Sequence, residues 1–464
     1  MKALVLLLAT LALLALPAAG SGGTTGTDWT RYGFDAARDN VGPAVTGITA
    51  ATVSQLVRKQ VTLDGTVDSS PIYLHGVTVK GHTHDVFFVT TTYGKTEAID
   101  ATTGAVLWRF TPPAYSRLAG TAQVTTMAPV ADPSRTAIYA GASDGRIRKL
   151  RVSDGKVLWT ARVTRDPTHE KLTSSLNFSR GLVLVTTGGY IGDAPPYQGH
   201  VVSLFAGSGK IDHVWNSLCS NRTTIILPKT CAASDSAIWS RNGAAVEPGT
   251  GDLVVATGNA LFNGSTNWGD SVLVLSPDAG KLLRHWTPAN QATLNTSDLD
   301  VGSTSPALLP GGYGLQGGKA GVLDLLPLDK LPGVNAKTGG EVQQLPTPGG
   351  AMMFTEPAVW QGKWVFIADG SGTEALRFSG GRLHPAWSNS NGGTSPVVAG
   401  GLLYVANSGA LRVYAPTTGK QLASLPYGGD HWQTPIITDG RIAIAEGNSN
   451  SHSTNGVLDI YHLP

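Results

Sequence analysis

The sequence predicts an all-β protein, an eight-bladed β-propeller of four-stranded antiparallel blades. Three observations lead to this fold class: a composition rich in turn residues, a repeated unit, and tryptophans that return at one place in that unit. The 464 residues include 58 glycines and 27 prolines, and only 14% are charged. Average proteins contain about 25% charged residues and about 7% glycine. The composition therefore indicates short strands joined by tight turns, and it disfavours both disorder and helical arrays.

Eight similar units follow one another along the chain. Each contains short alternating or apolar runs separated by Gly, Asp or Asn, which is typical of strands joined by turns. Over residues 56–464 the units average about 51 residues, the period of four-stranded propeller blades. They span residues 66–113, 121–164, 172–218, 235–288, 302–345, 354–390, 393–428 and 431–464. Because one pattern unites these residues, we expect 56–464 to form a single propeller domain.

Tryptophans recur at one place in most units. They follow a glycine by four or six residues and are Trp108, Trp159, Trp215, Trp286 and Trp387. Both offsets are even, so the indoles share one face of a strand. We expect them to pack between adjacent blades.

The two ends of the repeat region complete each other. The last unit ends after LDIYHLP without an outer strand, whereas residues 56–63 (LVRKQVTL) precede the first unit as an unpaired strand. Pairing these segments would close the ring and remove the exposed sheet edges.

The first residues have the layout of a secretory signal peptide. Lys2 precedes an apolar run over residues 3–16, which is followed by Pro17 and three small residues. The run, at roughly 14 residues, is short for a membrane span, which needs about 20. We therefore expect residues 1–20 to be removed, 21–55 to form an N-terminal extension, and the mature protein to be soluble and secreted or periplasmic. The net charge of +2 does not indicate a basic surface that would bind nucleic acid.

Cys219 and Cys231 are the only cysteines. An exported protein favours a disulfide between them. Two free buried thiols are the alternative.

The segments AIDATTGAVLW, LRVSDGKVLW and VYAPTTGKQL resemble the repeat of quinoprotein propellers. That superfamily includes alcohol dehydrogenases that use pyrroloquinoline quinone (PQQ) and a non-enzymatic outer-membrane assembly lipoprotein. Because enzymes and scaffolds share the repeat, activity must be inferred from residues that do not repeat.

Residues 236–259, SAIWSRNGAAVEPGTGDLVVATGN, resemble a segment of PQQ alcohol dehydrogenases, particularly of their polyvinyl-alcohol-dehydrogenase-like branch. The resemblance implies that Trp239 is the floor beneath the quinone and that Asn259 is a calcium ligand. An indole face suits a planar ring, and an amide oxygen suits a hard cation. The alternatives are a tryptophan that packs between blades and an asparagine in a strand-end turn.

Three further segments resemble the same family. TSDLDVGSTSPAL implies Asp300 as the catalytic base, with Asp298 as the neighbouring alternative. QGGKAGVLDL implies that Lys319 contacts the quinone oxygens. GGYIGDAPPYQGHV is a long loop in which Asp193 is the candidate acidic metal ligand. The alternatives are solvated turn carboxylates and a surface lysine.

The chain also departs from the family pattern. The two cysteines are twelve residues apart and cannot form a disulfide of adjacent cysteines over the quinone. They are expected to join the long loop that precedes Trp239. No C-x-x-C-H haem motif occurs, so an external electron acceptor such as a cytochrome c would be needed. The family's carboxylate-binding Arg and Thr match no single position.

The sequence therefore predicts an exported PQQ-dependent alcohol dehydrogenase-like quinoprotein. It would oxidise a small-molecule or polymeric alcohol by hydride transfer to PQQ polarised by Ca²⁺. The alternative is a non-catalytic propeller that binds proteins or polymers in the cell envelope. A different propeller enzyme, a lyase or hydrolase acting on an exported polymer, is the third hypothesis.

Overall fold

The computed structural model describes residues 26–429 and 431–464 and contains eight antiparallel sheets in succession along the chain. The signal peptide predicted for residues 1–20 lies outside the described residues. Within the described residues, helices are limited to α1 (Tyr115–Leu118), α2 (Gln291–Thr296) and the 3-10 turns Val53–Gln55, Pro228–Thr230, Val301–Ser303, Leu328–Lys330, Pro348–Gly350 and Ser449–Ser451. Across the described ranges, no helix has the length and apolar character that a membrane crossing requires. The prediction of an all-β fold is confirmed.

Each sheet is one blade whose strands follow the chain from the channel outward. Strand β1 (Val57–Leu63) is the exception, because it comes first in the chain but belongs to the eighth blade. In the third blade, two short strands, β10 and β11, both pair with β12, so the innermost strand is interrupted. The strands of blades 1 to 4 are β2 (Ile72–Val79), β3 (His82–Thr90), β4 (Thr96–Asp100), β5 (Val106–Phe110); β6 (Val130–Ala131), β7 (Ala137–Ala142), β8 (Arg146–Arg151), β9 (Val157–Arg162); β10 (Lys171–Leu172), β11 (Asn177–Ser179), β12 (Leu182–Gly188), β13 (His200–Phe205), β14 (Ile211–Asn216); and β15 (Ala245–Val246), β16 (Leu253–Ala256), β17 (Val272–Leu275), β18 (Leu282–Trp286).

The last blade closes the ring. Strand β1 pairs with the C-terminal strand β33 in antiparallel register, with Val57 opposite His462 and Leu63 opposite Gly456. The predicted closure by the N-terminal strand is thus confirmed. The strands of blades 5 to 8 are β19 (Ala307–Leu309), β20 (Tyr313–Gln316), β21 (Val322–Pro327), β22 (Gln343–Pro346); β23 (Ala358–Trp360), β24 (Trp364–Ala368), β25 (Thr373–Ser379), β26 (Arg382–Asn389); β27 (Val397–Ala399), β28 (Leu402–Asn407), β29 (Gly409–Tyr414), β30 (Gln421–Tyr427); and β31 (Ile436–Thr438), β32 (Arg441–Glu446), β33 (Gly456–His462), with β1 outermost.

Antiparallel pairing sorts the loops into two ends. The loops that join successive blades lie at the same end as the loops between the second and third strands of each blade. We call this end the top. The first-to-second and third-to-fourth strand turns lie at the other end, the bottom. Segments far apart in sequence therefore meet at the top of the channel.

The predicted tryptophans pack between blades. The indole Nε1 of Trp108 donates to the carbonyl of Val152 at 2.7 Å, and that of Trp159 to the carbonyl of Ala206 at 3.0 Å, in each case on the next blade. Trp159 lies against Gly209, where an added Cβ would be 2.6 Å from the indole. The remaining members of the set lie in apolar clusters shared with the following blade, and these are Trp215, Trp286 and Trp387.

Replacing Gly209 by Ala is expected to lower the free energy of unfolding by about 2–4 kcal/mol, because the backbone φ is +71° and the new methyl group would contact Trp159. Gly207, two residues earlier, has open space around its Cα and no positive φ. Gly207→Ala is therefore the matched control and should leave the melting temperature almost unchanged. Equal effects of the two substitutions in thermal unfolding would contradict this packing role.

Residues 26–48, which we call the strap, run across the bottom end. Trp29 exchanges backbone hydrogen bonds with Tyr73 of blade 1 at 2.8 and 2.9 Å, and the carbonyl of Asn40 accepts from Val398 of blade 7 at 3.0 Å. Equivalent bonds to blades 2, 4 and 6 join Thr30 to Ala131, Ala36 to Val246 and Asp39 to Val359. The strap thus ties the innermost strands of these blades together at the end opposite the top loops.

Candidate active site

The top of the channel contains a cavity of about 240 Å³. Its walls come only from blade-to-blade loops, second-to-third strand loops and the start of β10. The residues that surround it are Lys171, Ile191, Gly192, Asp193, Trp239, Arg241, Asp300, Ser303, Lys319, Phe354, His431, Trp432 and Asn450. Of the five side chains that the sequence assigned to catalysis, a cofactor or a metal, all but Asn259 are in this set.

Trp239 contributes a half-buried indole to the cavity wall. Its ring meets Tyr197 edge to face, with centroids 6.0 Å apart. A Cβ on Gly258 would lie 3.0 Å from Trp239 Nε1 and 2.3 Å from Asp300 Oδ1, so only glycine lets these two side chains approach the same backbone. Gly258, in the sequence Thr257-Gly258-Asn259, therefore allows the indole and the carboxylate to lie together. Trp239 is thus not one of the tryptophans that pack between blades.

Asp300 is buried beside Lys319. Its Oδ2 lies 2.5 Å from Lys319 Nζ, and its Oδ1 accepts the backbone N–H of Asn259 at 2.7 Å. Lys319 also contacts Asp298 Oδ1 at 3.0 Å. The Asp300 side chain is 3% exposed, whereas that of Asp298 is 61% exposed. Of the two carboxylates, Asp300 is therefore the one enclosed at the cavity.

The two charges of this pair change each other's titration. Burial raises the pKa of the Asp300 carboxyl above its usual range, and Lys319 and the Asn259 N–H offset that rise only in part. Burial alone would lower the pKa of Lys319, but the carboxylates of Asp300 and Asp298 outweigh it and raise that pKa. The ammonium therefore stays protonated, and Asp300 is a stronger base than an exposed aspartate.

The two expected metal ligands lie next to this pair but do not converge with it. Asp193 is exposed on its loop, lines the cavity and accepts from the Tyr197 hydroxyl at 3.0 Å. Asn259 contacts Asp300 through its backbone, and within the described chain its side-chain amide makes no hydrogen bond. No three His, Cys, Asp or Glu side chains in the described residues are grouped to hold a metal ion. The cation held between Asp298 and Asp300 is Lys319.

Two buried cations at the cavity, Arg241 and Lys171, were not predicted from the sequence. Arg241 donates to Thr126 Oγ1 at 2.6 Å, and its guanidinium lies 4.6 Å from the centroid of the Trp432 ring. Lys171 is buried, and burial together with the nearby Arg241 lowers its pKa to about 7. Arg241 follows Trp239 by two residues, a spacing that could have indicated a shared face. Lys171 gave no comparable signal, because it lies just before the third unit.

A histidine on the last blade was also missed. His431 Nδ1 lies 2.6 Å from Asp68 Oδ2. Asp68 also accepts the backbone N–H groups of Trp432 at 3.1 Å and Ser449 at 2.9 Å. Burial would raise the pKa of Asp68, but the His431 and Ser449 hydrogen bonds and nearby positive charge lower it. Asp68 therefore orients His431, whose Nε2 is left for the cavity side.

The loop that carries Trp239 is held by the predicted disulfide. Cys219 and Cys231 are bonded, with their Cα atoms 6.1 Å apart. Around them Leu218, Ile226 and Ala260 form a small apolar cluster. The prediction of a disulfide in this loop is confirmed, and the alternative of two free thiols is wrong.

A buried ion pair fixes the strand that bears Lys171. His200 Nε2 lies 2.9 Å from Glu170 Oε1, and its Nδ1 lies 2.6 Å from Asn216 Oδ1. Asn216 uses its amide N–H₂ group on two loop carbonyls, so its oxygen faces the imidazole. Both ring nitrogens therefore meet acceptors, which requires the doubly protonated imidazolium.

This pair should make stability depend on pH. Burial alone would lower the pKa of His200, but Glu170 raises it above the usual value of about 6.5. Because the pKa is raised by folding, the ion pair stabilises the protein fully below the usual value of about 6.5. This stabilisation is lost as the pH rises through the higher pKa of the folded state. We expect the melting temperature to fall on going from pH 6 to pH 9, and His200→Gln to remove this alkaline fall. His384→Gln, at an exposed histidine, should keep it. A wild-type curve that does not decline would contradict the charged pair.

Comparisons with known proteins agree with this fold. A family model described as outer membrane protein assembly factor BamB matches residues 43–225. The dehydrogenase subunit of quinone alcohol dehydrogenase from Gluconobacter oxydans (strain 621H) is 28% identical over 250 residues, covering 44% of this chain and 31% of that protein. Polyvinylalcohol dehydrogenase from Sphingopyxis sp. (strain 113P3) is 25% identical over 217 residues, covering 44% and 32%. The chain spans about a third of the length of these curated relatives.

Solved structures share the architecture at low sequence identity. Quinohemoprotein alcohol dehydrogenase from Comamonas testosteroni superposes with a TM-score of 0.69 at 15% identity, over 94% of this chain and 80% of that one. BamB from Moraxella catarrhalis superposes with a TM-score of 0.55 at 13% identity, over 88% and 98%. At these identities the likeness establishes the fold alone.

Fold and site define the class: an eight-bladed β-propeller whose top cavity combines an indole, buried cations and a carboxylate. The repeat resemblance found in the sequence is confirmed by the matching family and relatives. The chain is similar to the PQQ-repeat β-propellers related to quinone alcohol dehydrogenases.

Proposed function

We propose that this protein is a PQQ-dependent alcohol dehydrogenase whose quinone binds in the top cavity. The observation that carries the proposal is the composition of that one space. Trp239 offers an aromatic surface, Lys171 and Arg241 are buried cations, and Asp300 is a buried carboxylate of raised pKa beside Lys319. Strongly shifted titratable groups that meet in a cleft are typical of active sites.

The cavity residues fit PQQ, which is a planar heteroaromatic tricarboxylate. Trp239 suits its ring face, and Lys171, Arg241 and Lys319 suit its carboxylates and quinone oxygens. Lys171 forms no ion pair within the described residues, so a carboxylate there would supply the charge that the polypeptide does not. When bound, PQQ supplies a two-electron oxidant.

Asp300 is the proposed general base. An alcohol that enters the cavity would hydrogen-bond to its carboxylate, and Asp300 would take the hydroxyl proton as the carbon is oxidised. Lys319 holds Asp300 in place from 2.5 Å and keeps a positive charge where negative charge develops. Asp298 is too exposed to share this role and instead positions Lys319.

Calcium fits the residues less well than PQQ does. Asp193 and Asn259 remain the ligands that the family resemblance implies, with quinone oxygens completing the set. Within the described residues, no three His, Cys, Asp or Glu side chains are grouped to hold a cation there. We therefore derive no step through the ion.

Export of the protein and transfer of electrons to a partner are part of the same proposal. The layout of residues 1–20 supports export to the periplasm or the outside of the cell. The proposed route for the electrons is an external acceptor such as a cytochrome c, since these 464 residues contain no C-x-x-C-H motif. The second candidate function is a non-catalytic envelope scaffold, and it is supported by the family model described as BamB.

The proposal is tested by adding PQQ, with and without Ca²⁺, to the purified protein. Binding is followed by quenching of tryptophan fluorescence, and activity by alcohol oxidation coupled to an artificial electron acceptor. We expect saturable quenching and activity that depends on PQQ. Absence of quenching over the micromolar range would overturn the enzyme proposal and favour the scaffold.

The affinity for PQQ should fall as the pH rises. Lys171 has a pKa of about 7, so at pH 8 only about a tenth of the molecules carry the charge that a carboxylate needs. We expect binding to be about tenfold weaker at pH 8 than at pH 6. Lys171→Gln should weaken binding at pH 6 and flatten this dependence. Lys210→Gln, at an exposed lysine, should match the wild type.

A further inference from the structure

One amine at the top cavity has no partner in the described chain. Lys171 lines the cavity and is 7% exposed, so protein encloses most of its side chain. Its Nζ has no hydrogen bond or ion pair among the described residues, yet it is not one of the unpartnered polar atoms that are closed off from solvent. The Nζ atom is therefore open to the cavity. Lysines are almost never this buried without a partner.

The carboxylates closest to Lys171 are engaged elsewhere. Asp68 attracts its ammonium form, but both Asp68 oxygens already accept the hydrogen bonds described above, one of them from His431. Glu170, the preceding residue, contacts His200 at 2.9 Å. No carboxylate of the described chain is thus left to pair with Lys171.

The surroundings of Lys171 favour its neutral amine. Burial and then the positive charge of Arg241 lower the pKa of Lys171 to about 7, and Asp68 offsets this lowering only in part. Arg241 is held in place by Thr126 Oγ1 at 2.6 Å. A lysine that is desolvated or lies beside another cation is the kind that acts as a nucleophile.

The neutral fraction of this amine is large at neutral pH. At pH 7 about half of the Lys171 amines carry a free lone pair, because the pKa is about 7. For an ordinary lysine, with a pKa of about 10.4, the fraction is roughly one in 2,500. Lys171 is therefore distinguished from the surface lysines by its reactive form as well as by its place.

Lys319, another amine at the cavity, is the opposite case. Its Nζ lies 2.5 Å from Asp300 Oδ2 and 3.0 Å from Asp298 Oδ1, and these carboxylates raise its pKa. It stays an ammonium without a lone pair. Of these two amines, Lys171 is the one suited to covalent chemistry.

We propose that Lys171 is a covalent binding site for small aldehydes, with which its Nζ forms an imine inside the top cavity. The lone pair of the amine attacks the carbonyl carbon, and the two amine protons leave with the carbonyl oxygen as one molecule of water. A C=N bond thereby replaces the C=O bond, and no oxidant or reductant is consumed. The cavity of about 240 Å³ has room for such a molecule.

The adduct and PQQ would exclude each other at Lys171. A PQQ carboxylate bound there would keep the amine protonated, whereas an imine removes the charge that the carboxylate needs. The adduct itself requires no PQQ. One consequence rests on the proposed dehydrogenase function: an aldehyde produced by alcohol oxidation would block the loading of protein molecules that still lack PQQ.

The test treats the purified protein with propanal at pH 7 in the absence of PQQ. Imines are then reduced with sodium borohydride, and the propylated lysines are located by peptide mapping with mass spectrometry. We expect Lys171 to be modified at least about a hundredfold faster than Lys210, which is exposed. Lys171→Arg keeps a positive charge without a nucleophilic amine and should lose the fast modification. Lys210→Arg is the matched control and should retain it.

Peptide mapping of the wild type locates the reactive lysine even if Lys171→Arg does not fold, and competition with PQQ separates the two proposals. PQQ at about ten times its Kd should slow the modification of Lys171 about tenfold and leave that of Lys210 unchanged. Fast modification of Lys171 that PQQ does not slow would keep the aldehyde site and overturn the placement of the quinone beside this lysine. Saturable PQQ binding by a protein whose Lys171 reacts no faster than Lys210 would overturn the aldehyde site and keep the dehydrogenase.

Discussion

Replacing Asp300 with Asn should lower kcat for alcohol oxidation about a thousandfold in the PQQ-loaded protein, within the range that general bases contribute. The asparagine has nearly the same shape and can still accept the backbone N–H of Asn259, so the cavity should keep its form. What it loses is the carboxylate that would take the hydroxyl proton. The measurement is kcat with an artificial electron acceptor, together with PQQ affinity by fluorescence quenching.

The neighbouring carboxylate is the matched control for that experiment. Asp298→Asn removes an exposed partner of Lys319 and should lower kcat by less than tenfold. PQQ affinity should not fall in either variant, because neither carboxylate attracts an anion and both neutralise Lys319. If the two variants lost kcat equally, or if Asp298→Asn lost more, Asp298 would be assigned as the general base instead of Asp300. Full activity of Asp300→Asn would contradict the mechanism.

Replacing Arg38 with Leu should lower the free energy of unfolding by about 3 kcal/mol. Arg38 lies in the strap and is 1% exposed, and its guanidinium donates to the carbonyls of Leu176 at 2.7 Å, Ser175 at 3.3 Å and Tyr32. Leucine fills part of the volume but leaves these buried oxygens without a donor. The expected result is a lower melting temperature, measured by calorimetry, with the secondary structure at low temperature unchanged.

Arg165 provides the comparison, because it is exposed and forms no hydrogen bond or ion pair within the described residues. Arg165→Leu should melt within about 1 °C of the wild type, since surface substitutions away from special contacts have small effects. If Arg38→Leu melted at the same temperature as Arg165→Leu, the strap would not stabilise blade 3 through this side chain.

The fold could be predicted because the repeat is a local signal that recurs. Short runs ending in Gly or Asp fix each hairpin, and the spacing of Trp108 and Trp159 fixes the face that meets the next blade. The pairing of β1 with β33 followed from a missing strand at one end and a surplus strand at the other. The path of the strap was not predictable, because residues 26–48 carry no repeat and their partners lie on several blades.

The site was predictable only where its residues stand in stretches that do not repeat. Trp239, Asp300 and Lys319 could be assigned from such stretches, and all three line one cavity. Asn259 was expected to act through its side chain, yet the contact it makes with Asp300 is through its backbone N–H. A residue's type indicates possible chemistry, but the turn it occupies decides which of its atoms is presented.

The other cavity residues come from distant parts of the chain. Lys171 begins the first strand of blade 3, Arg241 precedes blade 4 and His431 precedes blade 8, and only the closed ring brings them together. The spacing of these three residues in the sequence does not indicate that they lie at the same cavity. The burial of these side chains beside one another follows from the closed ring and could not be predicted from the sequence.

The pairing of β1 with β33 also orders events during synthesis. Ribosomes deliver β1 long before β33, so the eighth blade cannot be completed until β33 has been synthesised. Until then β1 has an open edge, and nascent chains risk pairing with one another through it. Slow refolding with aggregation at high protein concentration is the expected outcome, because the decisive contact joins the most distant strands. Binding partners that shield β1 during this interval would raise the yield of native protein.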